Sequence, residues 1–199
     1  MRKIGILGGS FNPIHNAHLM MAQNAYEQFQ LDDMWLIPAK FPPHKQDVSF
    51  NDEHRLNMLR LAVSSCSGLS IHLYEYLKDG LSYTVETLQA FHEIYPDTEF
   101  YFIMGADSLY DFPKWHMPAE IARLATIVVA CRKGYDSEFE QLLVKRREEY
   151  GNPFFKLQMD LMPISSTEIR DCILSGRKLN DFIPECVENY IKKHNLYRF

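Results

Sequence analysis

Ile4-Gly5-Ile6-Leu7-Gly8-Gly9-Ser10-Phe11-Asn12-Pro13-Ile14-His15-Asn16-Ala17-His18 reads as strand, glycine turn and helix start. Residues 3–7 are short and apolar, as the first strand of a buried parallel sheet should be. Gly8 and Gly9 then turn the chain with no side chain in the way. Such a turn leaves backbone N–H groups facing open space, and a helix opening near Asn16 adds unpaired donors and the positive end of its dipole. The stretch is therefore a seat for an anion.

His15 and His18 stand three residues apart at the mouth of that helix, so both imidazoles share one face. Aimed at a phosphate, they donate hydrogen bonds to oxygens that gain charge as a phosphoryl bond exchanges. In an isolated His-x-x-His, one ring packs and the other is solvated; the strand and the glycine turn before this pair favour the phosphate reading. No His-Glu-x-x-His spacing or paired cysteines supply a metal site.

The segment Gly8–His18 resembles the nucleotide-binding signature of the nucleotidyltransferases that carry a His-x-Gly-His motif, relatives of class I aminoacyl-tRNA synthetases. It departs from that pattern twice. Asn12 stands where many members have Asp, and Ala17 replaces the glycine between the histidines, adding a methyl group where phosphate approaches. The resemblance implies that Gly8, Gly9, Ser10, Phe11 and His18 meet ATP, with His15 and His18 acting in catalysis.

Composition bounds the rest. A chain of 199 residues suits one domain that buries about 70% of its unfolded surface. Hydrophobic residues at 46% and charged residues at 24% exclude a disordered chain. A formal net charge of −5 argues against nucleic acid as partner, although a small anionic ligand needs only a local positive pocket. There is no apolar leader and no run long enough to span a bilayer, so a cytoplasmic protein is expected. Cys66, Cys131, Cys172 and Cys186 form no Cys-x-x-Cys pattern and are expected as free thiols, buried or partly buried.

Along the chain, Leu19, Ala22, Tyr26 and Phe29 step along a first helix, and residues 34–38 form a second strand. Ala39-Lys40-Phe41-Pro42-Pro43-His44-Lys45-Gln46 is a proline-stiffened basic loop at the carboxyl end of that strand, where open α/β sheets bind ligands. A helix over 52–65 ended by Gly68 and an edge strand through Leu69, Ile71 and Leu73 follow. A helix then opens at Ser82-Tyr83-Thr84, with Ser82 or Thr84 as its cap. The strand 99–104 runs into Gly105-Ala106-Asp107, where glycine permits close approach and Asp107 meets sugar hydroxyls or caps a helix. Residues 112–118 read as an irregular loop carrying Trp115, which fills the core or stacks on a heteroaromatic ring. The buried strand 126–131 brings Arg132 to the sheet's carboxyl edge. A charged helix over 138–149 reads as a solvated face, and residues 154–162 contain the last strand.

A second anion seat opens at Pro163-Ile164-Ser165-Ser166-Thr167-Glu168-Ile169-Arg170. Three successive hydroxyls with an arginine one turn on exceed what helix capping needs, and they suit a polyphosphate. Gly176 ends that helix, and a last one spans 184–194. The alternation of helix and strand gives an α/β fold, a doubly wound parallel sheet in a single domain, with a nucleotide-binding core over about 1–165 and a helical part over about 166–199.

The Ser-Ser-Thr-x-Ile-Arg run is similar to the second nucleotide motif of the same superfamily. Pro-Pro-His-Lys, Ser-Tyr-Thr and Trp115 resemble elements of one branch, the bacterial nicotinate mononucleotide adenylyltransferases, and over its length the chain looks like a member. The resemblance implies a Rossmann-like nucleotidyltransferase fold and transfer of an adenylyl group from ATP to nicotinate mononucleotide, with Mg²⁺ accompanying ATP. It assigns Lys45 and Arg170 to catalysis beside the histidines. Gly105, Asp107, Ser165, Ser166 and Arg170 go to ATP, and His44, Lys45, Tyr83, Thr84, Trp115 and Arg132 to the second substrate. No metal ligand is assigned; a homo-oligomer is compatible with the sequence. The rival acceptors are nicotinamide mononucleotide and phosphopantetheine, and the rival class is a non-catalytic nucleotide-binding regulator.

Overall fold

A computed structural model describes residues 1–41, 52–131, 136–159, 164–179 and 181–198. The elements in order are β1 (Arg2–Gly9), α1 (Asn16–Gln28), β2 (Asp33–Pro38), α2 (Asp52–Val63), β3 (Leu69–Ile71), α3 (Tyr74–Leu77) and α4 (Thr84–Ile94). Then follow β4 (Thr98–Gly105), α5 (Ala106–Asp111), α6 (Pro118–Leu124), β5 (Thr126–Ala130), α7 (Asp136–Tyr150), β6 (Phe154–Leu157), α8 (Ser166–Leu174) and α9 (Glu185–Lys193).

Alternation within the apolar strands builds two cores from one sheet. Ile4 and Ile6 of β1, Phe100, Phe102 and Met104 of β4, and Ile127 and Val129 of β5 face one side, against Val85, Leu88 and Phe91 of α4, Ile121 of α6 and Phe139 of α7. Leu7, Ile103, Val128 and Ala130 face the other, against Ala22 and Ala25 of α1, Leu59 of α2, Ile169 of α8 and Val187 and Ile191 of α9. Strands buried on both faces must read as nearly continuous apolar runs, and these do. The close β1–β2 packing needs Gly5, where a Cβ would meet Met34 Sδ at 2.3 Å. Removing a wholly buried ring such as Phe91, Phe112 or Phe154 would cost about 3–5 kcal/mol.

All strand pairs are parallel, and the order is β3-β2-β1-β4-β5-β6. The chain winds outward from β1 to β3, then crosses back to lay β4 on the other side of β1. Ligands in open α/β sheets sit at that reversal, outside the carboxyl ends of the strands. Here it lies between Gly8-Gly9 and Gly105.

Several expectations change. Gly8 and Gly9 do not turn the chain: they finish β1, in register with Ile37 and Pro38 of β2, and the turn falls at Ser10–His15. Ladder hydrogen bonds extend the strand until Phe11, whose φ of 43°, breaks it. α2 ends at Val63, and Gly68 (φ 76°) instead shapes the entry to β3, beside the Tyr26 ring. Neither Ser82 nor Thr84 caps α4; Tyr83 is its N-cap residue, without a side-chain cap. Phe112–Lys114 form a 3-10 turn where an irregular loop is expected, whereas β6 (Phe154–Leu157) lies within 154–162 as expected. The charged α7 is not merely solvated, because Phe139, Leu143 and Arg146 are buried. The edge position of β3 and the last helix lie as expected, and the four cysteines are free thiols. Among the described residues, no helix is long and apolar enough to cross a membrane.

Candidate active site

The Ser10–His15 turn has no internal hydrogen-bond ladder, so its shape is imposed from outside. The Ser10, Asn12 and Pro13 carbonyls are held by side chains of two distant helices, α2 and α8. Arg55 of α2, 2% exposed, donates to the carbonyls of Ser10 and Ala39 and pairs with Asp52. Arg170 Nη1 of α8 donates to the Asn12 carbonyl at 2.8 Å, and Ser166 Oγ donates to that of Pro13 at 3.0 Å. The Tyr197 hydroxyl donates to Asn12 Oδ1 at 2.6 Å; its burial pushes the phenol above the ordinary tyrosine range, against the pull of Arg170 and Arg55. Asn12-Pro13 is a cis peptide.

His15 is the N-cap residue of α1, and the His18 amide donates to its carbonyl at 3.0 Å. The two imidazoles stack with centroids 3.6 Å apart and planes at 22°, and the Phe11 ring stands edge-on to His18 at 5.1 Å. His15 is 4% exposed. Burial lowers its pKa from 6.5 to about 4, with Glu168 opposing, so it is neutral at physiological pH and keeps one N–H to donate. Its buried Nδ1 has no hydrogen-bond partner among the described residues. The α1 start offers less than expected, because the Asn16 amide is spent on the Phe182 carbonyl at 2.9 Å.

The second motif divides its labour by residue. Ser165 caps α8: its Oγ accepts from the Glu168 amide (3.2 Å) and donates to Glu168 Oε2 (2.8 Å). Ser166 holds Pro13, and Thr167 Oγ1 accepts from Arg170 Nη2 at 3.1 Å. The two sequence motifs are thereby hydrogen-bonded to one another.

Two cavities open above the strand ends and share Gly8, Gly9, Ser10, Phe102, Ser108 and Trp115. The larger, about 500 Å³, lies over His15, His18, Gly105–Ser108 and Ile164–Thr167. The smaller, about 310 Å³, lies over Glu75, Ser82–Thr84, Thr87, Leu88, Trp115 and His116. A Cβ at Gly8 or Gly105 would meet nothing within 4 Å, so both glycines keep cavity space open; at Gly9 it would meet the Phe11 ring at 3.2 Å. Ala17 lines the larger cavity while packing in the core, so its extra methyl is accommodated. Trp115, half-buried, packs edge-on to Phe102 at 6.0 Å and walls both cavities.

Asp107, Ser165, Ser166, Tyr83 and Thr84 reach the cavities as the sequence suggests. Arg170 lines neither; its guanidinium shapes the turn beneath. His44, Lys45 and Arg132 lie outside the described residues. Sequence reasoning missed Arg55, whose signal was available: an arginine four residues before Leu59 sits on the apolar stripe of α2. Glu75, Tyr197 and His116 carry no local signal.

The family model described as cytidylyltransferase-like matches residues 6–172. A protein of Lachnoclostridium phytofermentans named "probable nicotinate-nucleotide adenylyltransferase" is 39% identical, with 99% of this chain and 100% of that one covered. One of the same name from Clostridium tetani is 39% identical over the whole of both chains. The chain belongs to the cytidylyltransferase-like family, in its nicotinate-nucleotide adenylyltransferase branch. Within the solved nicotinate-nucleotide adenylyltransferases, the Plasmodium falciparum nicotinic acid mononucleotide adenylyltransferase complexed with NaAD has the same fold. Its TM-score is 0.79 at 23% identity, over 99% of this chain and 98% of that one.

Proposed function

We infer that the protein transfers the adenylyl group of ATP to the 5′-phosphate of nicotinate mononucleotide, releasing pyrophosphate and deamido-NAD, as a step in NAD biosynthesis. One observation carries this reading: two cavities meet over a shared Gly8-Gly9-Ser10 segment, so two nucleotides entering from opposite sides bring their phosphates to one point. The acceptor phosphate is already an anion, and its oxygen attacks the α-phosphorus as the bond to the pyrophosphate oxygen breaks. No side-chain nucleophile or general base is required. The protein's work is to align two repelling anions and to stabilise charge on the α-phosphate and the leaving pyrophosphate.

In this reading the larger cavity takes ATP. The stacked His15 and His18 face the α-phosphate region as donors, and burial leaves His15 neutral with one N–H to donate. Ser165–Thr167 at the start of α8 receive the departing pyrophosphate with the helix dipole behind them. Arg170 acts by holding the Asn12 carbonyl, and its field adds to theirs. Gly105 and Asp107 take the adenosine ribose. The smaller cavity takes nicotinate mononucleotide, with Trp115 against the pyridine ring and the amides at the start of α4 toward its carboxylate. His44, Lys45 and Arg132 keep the acceptor-side roles that the family resemblance implies.

Mg²⁺ fits as a passenger of the nucleotide. Among the described residues no cluster of three His, Cys, Asp or Glu is present to cage an ion, whereas Asp107 lines the nucleotide cavity as a single carboxylate. Magnesium characteristically takes one or two carboxylates plus substrate phosphates, and it would neutralise polyphosphate charge there. The deciding experiment is pyrophosphate release from Mg-ATP with nicotinate and nicotinamide mononucleotides in parallel. A much higher kcat/KM with the carboxylate is expected; turnover with neither would end this reading.

A further inference from the structure

The acceptor cavity contains a buried carboxylic acid that the reaction above does not use. Glu75, on α3, is 8% exposed and lines the smaller cavity with Ser82, Tyr83, Thr84 and Trp115. Its Oε1 accepts from Thr87 Oγ1 at 2.8 Å, and the Ser82 hydroxyl also bonds to it. Thr87 lies one turn inside α4, and Ser82 just before it. Glu75 therefore sits behind the helix start whose amides would face the pyridine substituent.

We propose that Glu75 is the specificity-determining residue of the acceptor site, the group that reads whether the pyridine ring carries a carboxylate or an amide. The inference rests on the acceptor reading of this cavity. A carboxyl beside a substrate carboxylate has opposite consequences in its two states. Protonated, it is a neutral neighbour that donates a hydrogen bond to the substrate's carboxylate; ionised, it repels that carboxylate and accepts from an amide N–H instead. Burial pushes the Glu75 carboxyl above the ordinary range, with Thr87, Lys78 and Ser82 pulling it back, so the cavity favours the protonated form more than water does. An acid substrate then draws a proton onto Glu75 as it binds, and the site's preference for acid over amide weakens as pH rises.

Other charged and titratable groups lie near Glu75. Lys78, the residue after α3, pairs with Glu86 of α4, and His116, which lines the cavity, has its ring 4.7 Å from that of Tyr83. His116 shares that cavity with Glu75, so the test must separate the two. The quantity to measure is the ratio of kcat/KM for nicotinate mononucleotide to that for nicotinamide mononucleotide, from about pH 5 to about pH 9. Titration of the shared 5′-phosphate, of ATP and of the nucleotide-side histidines cancels in this ratio. In the unsubstituted protein the ratio should fall with rising pH. In Glu75→Gln, an isostere of the protonated acid, it should be flat and about tenfold higher at the alkaline end. A Glu75→Gln curve that tracks the unsubstituted one, or lies below it, overturns the proposal. If Glu75→Gln does not fold, His116→Gln carries the test: a slope retained there supports Glu75, and a slope abolished assigns the effect to His116. Turnover of neither nucleotide by the unsubstituted protein sinks the acceptor reading and this inference together, whereas turnover with unaltered selectivity in Glu75→Gln sinks the inference alone.

Discussion

The two halves of the cleft are built in opposite ways. The half over His15 and His18, assigned above to ATP, is a turn without regular structure, held at the Ser10, Asn12 and Pro13 carbonyls and the Asn12 side chain by side chains from α2, α8 and the segment after α9, more than 150 positions from the turn for the last two. The half assigned to the acceptor comes mainly from one stretch, residues 75–121, whose polar groups Glu75 and Thr87 bond one another within it. A site for a polyphosphate needs many fixed dipoles, which only convergent elements can aim; a site for a flat ring needs a wall. Substitutions in the first half should therefore strike turnover, and those in the second should strike acceptor affinity.

His18→Ala tests the first half most severely. Loss of one donor to developing phosphate charge should lower kcat by about 10²–10³, with KM for nicotinate mononucleotide changed far less and the circular dichroism spectrum retained. Near-normal turnover in a folded variant would remove His18 from the chemistry.

His15 ties the same half to acid stability. In the unfolded chain it takes a proton near pH 6.5, but in the folded protein only near pH 4. Between these values the unfolded state binds more protons, so folding stability falls as pH drops through that window, by up to about 3 kcal/mol. Above pH 7 the group contributes no pH dependence. Urea unfolding at several pH values should show a shallower acid limb in His15→Gln than in the unsubstituted protein.

Trp115→Ala probes the other half. Removing the wall should raise KM for the pyridine nucleotide about tenfold, more than KM for ATP, even though the indole borders both cavities. An equal rise in both constants would merge the two halves into one site. The mildest change is Tyr197→Phe, which removes the hydroxyl from Asn12 Oδ1 and should cost about 1 kcal/mol of stability and raise KM for ATP alone. An effect confined to the acceptor would break the contrast.

The contrast also explains what could be read in advance. Contiguous signals were legible: the strand and helix around Gly8–His18, the hydroxyl run at 165–167, the Gly176 stop and the place of Trp115. Local misreadings arose where neighbours overrode residue preference, as when ladder bonds to β2 kept Gly8 and Gly9 in the strand, or when Ser82 turned to Glu75 and left α4 uncapped. The role of Arg170 shifted for the same reason: besides Thr167 one turn back, it donates to the Asn12 carbonyl, a contact that no local spacing announces.

By itself the sequence determined the succession of six strands, the parallel sheet and the helix starts near Asn16 and Ser166, because hydrophobic period, glycine and hydroxyl placement act over one or two turns of chain. Only the tertiary structure decided which carbonyls Arg55, Ser166, Arg170 and Tyr197 hold, the neutral state of His15 and the burial of Glu75 beside the acceptor cavity. Those depend on desolvation and on hydrogen bonds between residues far apart in the chain, and such contacts exist only once the sheet has brought their elements together.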